Sequence, residues 1–232
     1  MTWNIGHRGA SGLEPENTLR AFRRAEVEGA DALELDLRVT RDGHLVVLHD
    51  PTVNRTTDGT GLLGELTLAE VQELNAGMGE KVPALREILE VTTLPIHAEL
   101  KEEEAAEPLA TLMLEEEAIA KRLTPISFDA EALHEVGRVL PRLPVGLIFS
   151  GAPHVAADHA RSAGADFASL EAAHLGVYAV ERCRRAGLKV TTWTVNEPER
   201  MTEVLSMGVD GIVTDRPDLL AEMAKPREPR TR

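Results

Sequence analysis

The feature that most constrains this chain is a regular alternation of short β-like runs with helical stretches from one end to the other. Strand-forming runs fall at Ile5–Arg8, Ala32–Val39, Pro95–Lys101, Pro125–Phe128, Val145–Phe149, Asp166–Leu170, Lys189–Val195 and Gly211–Thr214. Between them lie stretches with helical spacing, among them Glu16–Glu28, Leu85–Val91, Ala105–Lys121 and Val177–Ala186. Gly29, Gly187 and Gly208 stand where three of the helices would end on a left-handed residue. Strands that alternate with helices pair in parallel, because a parallel crossover needs about a dozen residues. Eight such strands are the number that closes an α/β barrel of the (β/α)8, or TIM, type. The 232 residues, 43% of them hydrophobic, are enough for one barrel core. With no linker or shift in composition, residues 1–232 read as one barrel domain.

One segment departs from the alternation. Leu35–Val39 runs into Arg41-Asp42-Gly43, and Leu45–Leu48 follows at once, which leaves no room for a crossover helix. Asp-Gly between two apolar runs signals a hairpin on the second strand. Counting outward from a two-residue turn brings His49 level with Asp36. The Gly- and Thr-rich stretch at about 50–81 is then a small insertion lying over one end of the barrel.

The candidate chemistry sits on these strands. Glu34 and Asp36 are two apart and share one face of the second strand, and His97, Glu99 and Lys101 share one face of the next barrel strand. In a closed barrel such faces point inward or to the rim. Two like charges about 4 Å apart repel by about 4 kcal/mol at an effective dielectric near 20. Either one acid is protonated or a cation sits among them, unless the acids pair with Arg8, Arg38 and Lys101. A carboxylate-rich set suits a hard divalent ion, Mg2+ or Ca2+ (or Mn2+), better than zinc. His7 ends the first strand and His49 the hairpin strand, so both can reach the same rim and divide general acid and base between them. Arg8 and Lys101 are available to hold a phosphoryl group.

Several short motifs run in order along nearly the whole chain: His7-Arg8-Gly9, Pro15-Glu16-Asn17-Thr18, Glu34-Leu35-Asp36, Thr40-Arg41-Asp42-Gly43, His49-Asp50, Arg55-Thr56-Thr57, Glu99-Leu100-Lys101, Ser127-Phe128, Trp193-Thr194-Val195-Asn196, Gly208-Val209-Asp210-Gly211 and Thr214-Asp215-Arg216-Pro217. Any one is weak, but the ordered set resembles the glycerophosphodiester phosphodiesterase family of the phospholipase C-like barrels. The resemblance implies a (β/α)8 barrel with an insertion after the hairpin and one divalent cation on Glu34, Asp36 and Glu99. It implies His7 and His49 as the acid/base pair, Arg8 and Lys101 on the phosphate, and Trp193 as a wall for the glycerol. The implied reaction turns a glycerophosphodiester into glycerol 3-phosphate and an alcohol. The first nucleophile is left open between water and the glycerol 2-hydroxyl, as is the direction of the two histidines. Glu16 and Asn17 either shape the site near Arg8 or start a helix. His97 departs from the amide expected in many relatives. Asp215 and Arg216 read as a structural ion pair.

Composition excludes other classes. A net charge of −14 disfavours nucleic acid and anionic lipid surfaces as partners. The expected partner is a small-molecule diester, and oligomeric state is left open. No apolar run reaches the roughly 18 residues of a membrane span. The start lacks a signal-peptide pattern, and the single Cys183 fits a reducing compartment, so the cytoplasm is the expected location. Gly59–Gly64 fits a dinucleotide fingerprint only as a string and reads as a loop. His134, His154, His159 and His174 read as surface residues, and Lys225–Arg232 as a frayed tail. Two other readings compete. A lysophospholipase D-type enzyme would use Leu62, Leu63 and Leu66 as an apolar lip, and a silent barrel would serve only for binding.

Overall fold

The computed structural model describes residues 1–224. Nine strands form one sheet: β1 (Trp3–His7), β2 (Ala32–Val39), β3 (Leu45–Val47), β4 (Ile96–Leu100), β5 (Leu123–Ser127), β6 (Gly146–Phe149), β7 (Phe167–Glu171), β8 (Lys189–Trp193) and β9 (Gly211–Thr214). All but β3 run parallel, in the order β1-β9-β8-β7-β6-β5-β4-β2, and pairing of β1 with β2 closes the barrel. Around it lie α1 (Leu19–Val27), α2 (Leu68–Glu73), α3 (Leu85–Val91), α4 (Ala106–Glu115), α5 (Glu117–Ala120), α6 (Ala130–Val139), α7 (Ala156–Ser162), α8 (Val177–Arg185), α9 (Pro198–Ser206) and α10 (Pro217–Ala224). The eight-stranded (β/α)8 architecture is the one the alternation predicts.

The period-two side-chain alternation divides each strand between two environments. On β2, Leu33, Leu35 and Leu37 turn outward and pack with Phe22 of α1 and Ile88 of α3. On β4, Ile96, Ala98 and Leu100 join the same cluster. That commitment leaves Glu34, Asp36, His97 and Glu99 inside the barrel. The opposite half repeats the arrangement, with Ala168, Leu170, Val190 and Ile212 packed against Ala160, Val180 and Met201 of the outer helices. The barrel interior is filled below the rim by Ile126, Ile148 and Phe167, and on the other side by Ile5, Ala32 and Val213.

Three sequence expectations are corrected locally. The first helix begins at Leu19 rather than Glu16, because Asn17 takes a left-handed φ of 57° and Thr18 is the N-cap, accepting from the Ala21 N–H. The helix expected over Ala105–Lys121 breaks at Glu116, whose φ of −127° and ψ of 87° leave the helical region. The hairpin turn has three residues, not two: Thr40 N–H donates to the His44 carbonyl at 3.0 Å, and Gly43 takes the left-handed position at φ 84°. The register therefore puts Leu48 opposite Asp36, its N–H donating at 3.0 Å, and His49 one residue further on.

Residues 48–84 form their own small layer over β3, with a 3-10 turn at Leu63–Glu65 and α2 around the buried Val53, Leu63, Val71 and Val82. Gly59–Gly64 is a loop leading into that turn. Leu63 is buried and Leu66 packs against this layer, so Leu62 alone of the three leucines is exposed. His134, His154, His159 and His174 are on the surface, and Cys183 is buried. Among the described residues no helix is long and apolar enough to cross a membrane. The Lys225–Arg232 stretch lies outside the described residues.

Gly146 shows how tightly the interior is filled. A Cβ there would come within 2.2 Å of the Phe167 ring, which is itself stacked on His97 at 5.1 Å between centroids. Three ring atoms stand within 2.6 Å, so the whole ring would have to move. Gly146→Ala is expected to destabilise the protein by about 1–3 kcal/mol through overpacking. Adding Phe167→Leu should recover part of that loss in urea unfolding, whereas independent, additive effects would refute the steric account.

Candidate active site

The outward leucines fix which residues face the barrel mouth, and parallel pairing brings those residues level. His7 pairs with Glu34, Glu34 with His97, and Asp36 with Glu99. Oxygens of Glu34, Asp36 and Glu99 lie within 4.8 Å of one another, and all three residues are buried. Burial beside Asp36 pushes the Glu34 carboxyl up to about 8 and raises that of Glu99 as well. One oxygen of Asp36, Oδ1, is buried without a hydrogen-bond partner. Clustered carboxylates, two of them driven toward the protonated form, and an orphan oxygen among them are what a hard divalent cation satisfies.

Two of the three cations read from the sequence pair with these acids. Arg8 Nε is 3.1 Å from Asp36 Oδ2, and Lys101 Nζ is 2.6 Å from Glu99 and 3.6 Å from Asp36. Arg38 does not join them: it lies on the same face of β2 but nearer the rim, where it holds Glu102 at 2.7 Å and the His49 carbonyl at 2.9 Å. Arg8 reaches Asp36 from a left-handed backbone at φ 53°, and its own N–H donates to Glu34 at 3.1 Å. A side chain held in that region costs energy of order 1 kcal/mol and is found where the surroundings demand it. Asn17, also left-handed, donates from Nδ2 to Asp36 at 2.8 Å, and Glu16 takes Arg8 Nη1 at 2.8 Å. Thr18 starts the helix, and of the two residues before it Asn17 meets Asp36 and Glu16 meets Arg8.

Each histidine is tied to an aspartate through Nδ1. His7 Nδ1 and Asp215 Oδ1 are 2.6 Å apart, as are His49 Nδ1 and Asp50 Oδ1. Such a bond keeps the proton on Nδ1 and leaves Nε2 free to exchange one. His7 Nε2 lies 3.9 Å from Glu34. Burial depresses the His7 pKa, but the bond to Asp215 and the field of Glu34 outweigh it and the net shift is upward. At His49 burial wins over Asp50, and the shift is downward. Asp215 is held at about 2: its bonds to His7, Ser11 and Asn196 overcome burial.

Asp215 is therefore not the ion-pair partner of Arg216, which instead holds Asp218 at 2.8 Å. Sequence adjacency hid the role of Asp215; the neighbouring positions of β1 and β9 around a barrel would have disclosed it. Trp193 lines the mouth with His7, Glu34, Glu99 and Phe128, its Nε1 donating to the Ser169 carbonyl at 3.0 Å. Phe128, half exposed, meets Trp193 edge-on at 5.4 Å and lies 5.9 Å from Lys101 Nζ. His97 lies deeper and is pushed down to about 4 by burial, so it is neutral.

Paired histidines over a carboxylate cluster, with arginine and lysine alongside, suit transfer of a phosphoryl group between oxygens, and known proteins agree on the class: a phosphoric diester hydrolase on a (β/α)8 barrel. Residues 7–219 match the Glycerophosphoryl diester phosphodiesterase family, and the chain belongs to that family. A glycerophosphodiester phosphodiesterase of Caldanaerobacter subterraneus subsp. tengcongensis is 34% identical over 95% of this chain and 97% of its own length. A crystal structure of a putative glycerophosphoryl diester phosphodiesterase from Silicibacter pomeroyi superposes with a TM-score of 0.87 at 28% identity, covering 94% of this chain and 93% of that one. An Oleispira antarctica phosphodiesterase solved with the product sn-glycerol-3-phosphate gives 0.86 at 28% identity, with 94% of each chain covered.

The raised Glu34 carboxyl sets a direction for pH dependence. Without a cation the folded chain keeps that proton to about pH 8, against an ordinary 4.5, so folded-state stability falls as pH rises through this window. The raised His7 adds a loss of the same sign. The depressed His49 and His97 act oppositely, but only below about 6.5, where they still bind protons when unfolded. The metal-free protein is expected to melt at lower temperature at pH 8 than at pH 6.5. Mg2+ or Ca2+ at about 100 times its Kd should raise the melting point by roughly 5–10 °C, more at pH 8. An equal rise in Asp36→Asn would show that the ion binds elsewhere.

Proposed function

We propose that the protein hydrolyses glycerophosphodiesters to glycerol 3-phosphate and an alcohol, with His7 and His49 exchanging the protons. The observation that carries this reading is the pair of Nδ1–aspartate bonds, both 2.6 Å, with His7 Nε2 3.9 Å from Glu34 and His49 within the field of Asp36, Arg8 and Lys101. Membership of the family supports the substrate class, and the sn-glycerol-3-phosphate bound to the Oleispira antarctica relative supports the product.

Glu34, Asp36 and Glu99 would hold one divalent cation, Mg2+ or Ca2+, which when bound polarises a phosphoryl oxygen and offsets its growing charge. With that charge accommodated, Arg8 and Lys101 are free to turn from the acids to the phosphoryl oxygens, Arg8 by its fork and Lys101 as a point charge. One histidine takes the proton of the attacking hydroxyl and the other protonates the departing alcohol oxygen. Asp215 and Asp50 orient the two rings and stabilise each imidazolium as it forms. Trp193 and Phe128 give the glycerol carbons an apolar wall and limit water around the phosphorus. The lysophospholipid reading loses its apolar lip, since Leu63 and Leu66 pack inward. The buried, unpaired Cys183 accords with a reducing cytoplasm.

The test is release of glycerol 3-phosphate from glycerophosphocholine and glycerophosphoethanolamine, with EDTA and then with Mg2+, Ca2+ or Mn2+ restored. Wild type should be active only with a metal. His7→Ala and His49→Ala should each lose about 100- to 10,000-fold in kcat at unchanged melting temperature. Wild-type rates in either variant would remove that histidine from the mechanism. Release from a lysophospholipid and not from the soluble diesters would reassign the substrate.

A further inference from the structure

Among the cations near the mouth, Arg55 has no role in the mechanism above. Arg55 comes from the segment after β3, not from the barrel, and its guanidinium makes four hydrogen bonds to two carboxylates. Nε and Nη2 donate to Asp50 at 2.7 and 3.0 Å, and Nη1 and Nη2 donate to Glu16 at 2.8 and 2.9 Å. Ion pairs of half-exposed arginines usually contribute little, and a plain reading is that Arg55 pins the insertion to the rim. The identity of the two carboxylates argues for more. Asp50 is the group that orients His49, and the same Oδ1 accepts from both His49 and Arg55. Glu16 is the group that holds Arg8, and its Oε1 accepts from both Arg8 and Arg55.

We infer that Arg55 is a positioning residue that sets His49 and Arg8 relative to each other, by clamping Asp50 and Glu16 with the two edges of one guanidinium. The inference rests on the roles given above to His49 and Arg8. Only arginine can serve, because a planar fork engages two carboxylates edge-on at once, whereas an ammonium is a point charge. The loop that carries Arg55 is itself braced. Val53 is fully buried, the Thr57 hydroxyl donates to the Val53 carbonyl at 2.6 Å, and Asn54 accepts from the Gly61 N–H at 2.9 Å. Arg55 therefore transmits the position of the insertion to two groups of the site, one assigned to move protons and the other to bind phosphate.

A purely structural arginine and a positioning one differ in how their losses combine. Steady-state kcat and KM for glycerophosphocholine, with Mg2+, would be measured for Arg55→Ala in the wild-type, Asp50→Asn and Glu16→Gln backgrounds. Small misplacements of catalytic groups cost up to about a hundredfold, so Arg55→Ala alone is expected to lower kcat and to raise KM, each by about tenfold. In Asp50→Asn the path to His49 is already cut, and Arg55→Ala should then change KM only. In Glu16→Gln the path to Arg8 is cut, and it should change kcat only. Arg55→Lys should recover part of one parameter and not both. Should Arg55→Ala melt near the assay temperature, Arg55→Lys and Arg55→Gln at unchanged melting temperature carry the same comparison. The same fold-loss in all three backgrounds, or wild-type kinetics in Arg55→Ala, would overturn the inference. His49→Ala serves as control. If it keeps wild-type rates, the assignment of His49 fails; if it is inactive while Arg55→Ala is fully active, the positioning role alone fails.

Discussion

Repulsion among three buried carboxylates is the constraint around which the rim is arranged. The fold forces it, because the β2 leucines that face the helices and the β2 acids that face the barrel belong to one alternating run. A slip of one residue would turn every leucine inward and every acid into the helix layer. The hydrophobic effect thus holds Glu34, Asp36 and Glu99 together against their mutual field. Their neighbours at the mouth serve to contain it. Arg8 adopts a left-handed backbone that lets its N–H reach Glu34 and its guanidinium reach Asp36. Asn17 is left-handed beside it and donates to Asp36 as well. Lys101 bridges Glu99 and Asp36. Even so, Asp36 Oδ1 keeps no hydrogen bond, with Lys101 only as near as 3.6 Å, and that deficit is what a bound cation would meet.

The two histidines share a geometry but differ in what holds it. Asp215, at the end of β9, is fixed by neutral groups: the Ser11 hydroxyl at 2.8 Å and the Asn196 amide at 2.5 Å. Asn196 in turn accepts from the Asp215 N–H, so the His7 side moves with the barrel. Asp50 opens the small layer that follows β3 and is fixed by a charged group of the same layer, Arg55, so the His49 side moves with that layer. The two rings shift oppositely although burial and Arg8 depress both: Asp215 and Glu34 outweigh them at His7, whereas at His49 burial with Arg8 and Lys101 prevails over Asp50 and Asp36.

Much of this was legible in the chain because it depends on short periods. The eight strands, the facing acids, the two strand-end histidines and the hairpin all follow from spacings of two or from a turn signal. What escaped depends on geometry that spacing does not encode. Asp42-Gly43 is compatible with a two- or a three-residue turn, and only the bond from Thr40 to the His44 carbonyl shows which, moving His49 by one position. Arg38 shares a face with Glu34 and Asp36, but one further step along the strand carries it past the acids to Glu102. Asp215 and His7 are 208 residues apart and meet only because the last strand closes against the first. Adjacent residues invite pairing in a sequence reading, yet Asp215 and Arg216 point apart.

The net charge of −14 and an anionic substrate stand in apparent conflict, and the arrangement of charge resolves it. Exposed charges are screened beyond about 8 Å at physiological ionic strength, so the outer acids, such as those of α5 and the start of α4, contribute little at the mouth. Within that distance an approaching diester meets Arg8, Lys101 and Arg55, the last matched by Asp50 and Glu16, with Glu34, Asp36 and Glu99 recessed behind them. A cation among those three acids would cancel most of their charge and release Arg8 and Lys101 from them. Those two would then draw the anion in although the molecule as a whole does not. Recessed acids and forward cations would thus make anion binding conditional on the cation, an order of assembly set by charge.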